Sequence, residues 1–235
     1  SISPGNSGGP LLSIDGSVVG INTYVMRHSQ GAGNEVGNVA VAIDEAISRI
    51  EELETAGFVS NPADGFYNSG LAYYYDGQYA RAIQDFGEAI RLDPQYADAY
   101  YMRAEAYYDL GQYERAIQDY DEAIRLDPRD ALAYCNRGNA YDDLGKYGLA
   151  MHDHDEAIRL DPRLAMAYYN RGASYRKLGQ HDRALEDYDE AIRLDPGFAI
   201  AYGQRGVVYV LLRRYDRGIQ EFDEAIRVDP ENAYF

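Results

Sequence analysis

The stretch "PGNSGGPLL" at residues 4–12 sets one hydroxyl, that of Ser7, in a run of glycines. A serine hydroxyl is a weak nucleophile until a neighbouring base takes its proton. The four histidines that could act as that base, His28, His152, His154 and His181, all follow Ser7 in the chain. The pair in "HDH" at 152–154 stands two residues apart, so on a helix the two rings point to different faces and make a poor metal pair. The single cysteine, Cys135, rules out an intramolecular disulfide and a cysteine-based metal cage. No base stands beside it in the sequence, so an unreactive thiol is expected. No metal or other cofactor is expected.

The residues after Ser7 form the elements that would position it. "PLLSI", Asp15-Gly16 and "SVVGINTYV" read as strand, tight turn and strand, because Asp-Gly between apolar runs is a strong hairpin signal. A glycine-rich loop at 31–38 leads to a short strand, "NVAVAI". Residues 44–57 then read as a helix, with Asp44 as cap, Ala46, Ile47, Ile50 and Leu53 along one stripe, and Gly57 at its end. In this setting "GNSGGP" resembles the nucleophile loop of trypsin-fold serine proteases. "SPGNSGGPL", "GSVVGIN" and "VAIDEA" bring the likeness closest to the bacterial HtrA-like branch. Asn6 stands where secreted digestive relatives have an aspartate, which fits the same branch.

The resemblance implies that residues 1–56 are the C-terminal part of a trypsin-like serine protease domain. Ser7 would be its nucleophile, and the N–H groups of Gly5 and Ser7 would face the developing oxyanion. In this fold the histidine and aspartate of the triad precede the serine. They are therefore expected upstream of residue 1, in a longer protein that is a serine endopeptidase, and the chain alone is expected not to cleave. HtrA-like relatives are often extracytoplasmic, while the sequence itself does not identify the compartment.

From about residue 64 the composition shifts to Ala, Tyr, Asp, Arg and Glu. Pro94, Pro128, Pro162, Pro196 and Pro230 fall 34 residues apart, each closing the phrase "EAIRLDP" or "EAIRVDP". A fixed period of that length means a solenoid of helix-turn-helix units. In one unit, Tyr100, Ala104 and Tyr107 share a face of the first helix, and Ala116, Tyr120 and Ala123 share a face of the second. Gly77, Gly111, Gly145 and Gly179 suit the left-handed residue ending each first helix. The fifth unit has Arg213 there, where a left-handed backbone costs about 1 kcal/mol, so a different or frayed turn is expected.

The repeat resembles the tetratricopeptide repeat over residues 63–232, in five units. The family's aromatic position holds Phe66, Tyr100, Tyr134, Tyr168 and Tyr202. Its small position holds Gly70, Ala104, Gly138, Gly172 and Gly206. The second-helix alanine is Ala82, Ala116, Ala150 and Ala184, with Gly218 departing. His154 takes the packing position that holds Phe86, Tyr120, Tyr188 and Phe222 elsewhere, so it reads as core. The expected architecture is mostly α, a solenoid preceded by a small β remnant and one connecting helix. Residues 57–62 would be the linker and 233–235 the start of a further unit.

The resemblance further implies that the first helices line a groove for a peptide or protein partner. Its residues would include Tyr67, Asn68, Tyr101, Asn136, Asn139, Tyr169, Asn170 and Gln204, with Leu132, Met166, Arg176 and Ile200 at neighbouring positions. Tyrosine and asparagine suit an extended peptide, since the ring adds apolar area and the amide pairs with both backbone groups. Some relatives grip a C-terminal carboxylate through two asparagines and three cations. Asn139 and Asn170 match the asparagines, but Cys135, Ile200 and Gln204 stand where the cations belong, so that ligand is not expected.

The net charge of −17 disfavours nucleic acid and anionic membranes. No apolar run approaches the roughly 18 residues that span a bilayer. Self-association through uncapped terminal units is a further expectation. The alternative to a protease-linked scaffold is a non-catalytic assembly protein with a degenerate protease domain.

Overall fold

The computed structural model describes residues 10–12, 18–21 and 62–230. The chain divides into two compact bodies, residues 1–111 and 112–235.

In the first body, β1 (Pro10–Leu12) and β2 (Val18–Ile21) pair antiparallel, with Pro10 opposite Ile21, Leu11 opposite Gly20 and an irregularity between Leu11 and Leu12. Three helices follow: α1 (Pro62–Tyr75), α2 (Tyr79–Leu92) and α3 (Ala97–Asp109). Their core gathers Tyr73, Ala82, Phe86 and Ala106, with Tyr67, Leu71, Tyr74, Ile83 and Met102 packed around it. A Cβ at Gly70 would lie 2.6 Å from the Phe86 ring, so the absence of a side chain lets α1 close on α2.

The second body holds α4 (Tyr113–Leu126), α5 (Ala131–Asp143), α6 (Tyr147–Leu160), α7 (Ala165–Lys177), α8 (His181–Leu194), α9 (Ala199–Leu211) and α10 (Tyr215–Val228). α5 folds back on α6, α7 on α8 and α9 on α10, while α5, α7 and α9 also touch in succession. Small residues fill the inner faces: Ala116, Ala133, Ala140, Ala150, Ala157, Ala167, Ala184, Ala191, Ala201 and Ala225 are all fully buried. Tyr120, Tyr188 and His154 fill the gaps between them. Burying one of the tyrosine rings is worth about 2 kcal/mol.

The phrase "EAIRLDP" divides its work along the chain. Its alanine is buried, and its Glu and Arg pair one turn apart on the surface, as in Glu156 with Arg159 and Glu190 with Arg193. Its aspartate turns the chain. The backbone N–H of Asp161 still donates to Ala157, while its carboxylate accepts from the N–H of Arg163 at 2.9 Å. Asp93, Asp127 and Asp195 do the same. The following proline then closes the helix.

The turn at Arg213 departs from the expectation. Arg213 is left-handed at φ 59°, like Gly145 at 70° and Gly179 at 73°. Its N–H donates to Val210 and that of Arg214 to Tyr209, matching Gly179 to Arg176 and Gln180 to Tyr175. The turn is therefore fixed by its two closing hydrogen bonds and by α9 packing on α10, which together outweigh the cost of roughly 1 kcal/mol for a left-handed Arg. Gly218, the other departure in that repeat, also has a steric cause. A Cβ there would lie 2.8 Å from the Val210 side chain.

Candidate functional site

Ser7 and Gly5 lie outside the described residues, as do the strand expected at 38–43, the helix at 44–57 and most of the seam at 57–62. The groove candidates fall on both bodies.

In the first body, Tyr67 is half-buried between Phe86 and Tyr96, with ring centroids 5.8 and 4.9 Å away. Burial pushes its phenol up to about 12, so it stays protonated as a donor. Asn68 is exposed one residue on, and Tyr101 is half-buried on α3.

In the second body, Asn136 and Asn139 on α5 and Gln204 on α9 are half-buried. Tyr169 on α7 packs against Phe198 at 5.1 Å and Tyr188 at 5.9 Å. Burial raises its phenol, which the Arg176 guanidinium partly offsets. Asn170 is buried, and its Nδ2 donates to the Sγ of the fully buried Cys135 at 3.3 Å. The α5 and α7 faces are joined there by a side-chain bond. One turn further along, Ser174 Oγ donates to Asp142 at 2.6 Å, a second link between the same helices. Leu132, Met166 and Ile200 occupy the same repeat position on α5, α7 and α9, and are 46%, 45% and 41% exposed.

His154 is fully buried, 3.8 Å from Asp142, and neither ring nitrogen has a hydrogen-bond partner. A Cβ at Gly138 would lie 2.5 Å from the ring. The core reading of His154 holds, and His152 is exposed. Among the described residues no group of three or more His, Cys, Asp or Glu side chains is placed to hold a metal.

The sequence reading missed a charged ladder. Arg137 on α5 grips Asp153 on α6 with two bonds of 2.7 Å and reaches Asp121 on α4 at 2.6 Å. Arg171 does the same with Asp187 at 2.6 and 2.9 Å and with Asp155 at 2.7 Å. Arg205 donates twice to one oxygen of Glu221 and once to Asp189. Each guanidinium also lies over a tyrosine: Tyr134, Tyr168 or Tyr202. The readable signal was an arginine with a carboxylate 16 residues before and 16 after, repeated every 34. In the first repeat Ser69, bonded to Asp85 at 2.6 Å, stands in the arginine's place, and in the second Arg103 keeps that place over the Tyr100 ring.

At the outer side of α10, Ile219 and Ile226 are 58% and 46% exposed, whereas the equivalent Ile117 and Ile124 of α4 are buried.

Comparison with known proteins finds a short sequence likeness to a serine protease and solved structures that share the helical array. A 67-residue stretch is 37% identical to "Serine protease Do-like HtrA" of Lactococcus lactis, covering 28% of this chain and 15% of that protein. The chain thus spans about a seventh of that relative's length. Among solved structures, MamA superposes with a TM-score of 0.62 at 28% identity, covering 71% of this chain and 97% of that one. YrrB, described as a TPR protein with an unusual peptide-binding site, superposes at 0.58 with 23% identity, covering 81% and 94%. Profiles described as "TPR repeat" match residues 70–111 and 104–145, and those described as "Tetratricopeptide repeat" match 131–164, 165–198 and 199–232. With its helices, left-handed turns and closing prolines in that same register, the chain belongs to the tetratricopeptide repeat family.

Proposed function

We propose that this chain is a scaffold that binds an extended peptide segment of a protein partner along the first helices of its repeats. In the longer protein it would bring that partner to an HtrA-like serine endopeptidase whose nucleophile is Ser7. The observation that carries the reading is the row of Leu132, Met166 and Ile200, large apolar side chains left exposed at one position of three neighbouring helices. Asn139 and Gln204 supply amides able to pair with a ligand's backbone. The HtrA likeness over 67 residues and the peptide site named for YrrB support the two halves of the reading.

The test uses peptides retained by the full chain from a pool of randomised octapeptides. Asn139→Ala with Gln204→Ala should weaken a retained peptide by at least about 1 kcal/mol, the usual worth of one lost hydrogen bond. Unchanged affinity would remove both amides from the site. Asn170→Ala should instead lower the unfolding midpoint, since it strips a buried bond to Cys135.

A further inference from the structure

Arg176 is set apart from the paired arginines of the second body. Arg137, Arg171 and Arg205 each bridge two carboxylates, and Arg125, Arg159, Arg193 and Arg227 each pair with a glutamate one turn away. Arg176 is half-buried, its Nε is fully covered, and that Nε has no acceptor among the described residues. A guanidinium is always charged, and a covered donor without an acceptor is a standing cost. The chain carries a net charge of −17, yet none of its described carboxylates forms an ion pair with this cation.

The surroundings form a seat beside the guanidinium. Tyr169 and the fully buried Tyr188 lie with their rings 5.9 Å apart; burial raises both phenols, and the Arg176 guanidinium partly offsets that rise. Lys177 follows it, with its ammonium over the Tyr147 ring at 5.6 Å. Successive helices place different chemistry at the same repeat positions. α5 ends in Asp142 and Asp143, α7 in Arg176 and Lys177, and α9 in Val210 and the exposed Leu211. The cationic pair therefore sits on the middle helix, flanked by acid on one side and by apolar surface on the other.

Resting on the peptide-binding reading above, we infer that Arg176 is the specificity-determining residue of the second body and receives one carboxylate side chain of the bound peptide. The carboxylate belongs to a side chain and not to a chain end, because α5 and α9 extend the face on both sides of α7. It is a single isolated acid, because a run of acids would meet the exposed Asp143 at the end of α5. Arg176 lies outside the positions from which relatives grip a C-terminal carboxylate, so the residues missing at Cys135, Ile200 and Gln204 do not bear on it.

The experiment passes pools of N-acetylated, C-amidated octapeptides over the immobilised full chain. The central residue is fixed as Glu in one pool, Gln in a second and Lys in a third; a fourth pool keeps Gln but ends in a free carboxylate. The Glu pool should be retained about tenfold over the Gln pool, the ratio expected for one charge-assisted hydrogen bond. Arg176→Gln should bring the two pools to parity, and Arg176→Lys should keep part of the preference. Unfolding midpoints of both variants should not fall below that of the unaltered chain, since each substitution removes the covered Nε donor.

Retention without a Glu preference, or a preference that survives Arg176→Gln, would overturn the assignment while leaving the peptide-binding face standing. A preference shown only by the free-acid pool would overturn it in favour of a chain terminus. If Arg176→Gln unfolds the chain and Arg176→Lys shows no Glu preference, the arginine is structural and the assignment falls. No retention of any pool would end the peptide-binding reading as well.

Discussion

At the scale of single residues, the clearest anomaly is a core histidine. His154 occupies the site of Phe86 and Phe222 in other repeats, with no exposure and no hydrogen bond to either ring nitrogen, Asp142 lying 3.8 Å from Nε2. A buried polar atom without a hydrogen bond costs on the order of 1–3 kcal/mol. His154→Phe should therefore stabilise the chain by at least about 1 kcal/mol, read as a raised midpoint in urea. Fit is not the obstacle, because Gly70 and Gly206 already accommodate phenylalanine at the same contact. A lowered midpoint would mean that the imidazole does have a partner in solution. The burial of His154 was legible in the sequence, because the 34-residue period named its position. Its 3.8 Å approach to Asp142 was not, since that distance depends on how closely α5 and α6 pack at Gly138.

At the scale of elements, the arginine ladder holds successive helices in register. Arg171 grips α8 through Asp187 and α6 through Asp155. Burial raises the Asp187 carboxyl and Arg171 lowers it, so the pair works against desolvation. The two bonds at 2.6 and 2.9 Å mark a formed ion pair. Breaking such a pair from one side leaves a buried charge alone, whereas replacing both sides removes the desolvation cost as well. Arg171→Met should cost about 3 kcal/mol, and adding Asp187→Leu should recover most of that loss. A double variant as unstable as the single one would show that the arginine acts through Asp155 or the tyrosine faces instead. Helix boundaries and closing prolines could be read from the sequence because each depends on a few adjacent residues. The ladder could not be read as easily, since its partners lie 16 residues away on two different helices. Arg213 failed for a related reason: a local backbone preference of about 1 kcal/mol gives way to two turn hydrogen bonds and the packing behind them.

At the scale of the whole molecule, the repeats form a tetratricopeptide array; in the function proposed above it binds a partner, and the residues around Ser7 tie it to a protease. The array was legible because its period recurs in every feature at once: proline, left-handed turn, small residue and aromatic. What the face prefers was less legible, because exposure and pairing decide it. Asn170 turned inward to Cys135 and Arg176 was left without a carboxylate, though both stand at groove positions in the sequence. The most direct test is an NMR titration of the full chain with a peptide retained from the randomised pool, following side-chain amide signals. The account predicts that the amides of Asn139 and Gln204 shift with peptide while Asn170, tied to Cys135, moves little. Shifts confined to α6, α8 and α10, with Asn139 and Gln204 unmoved, would contradict it.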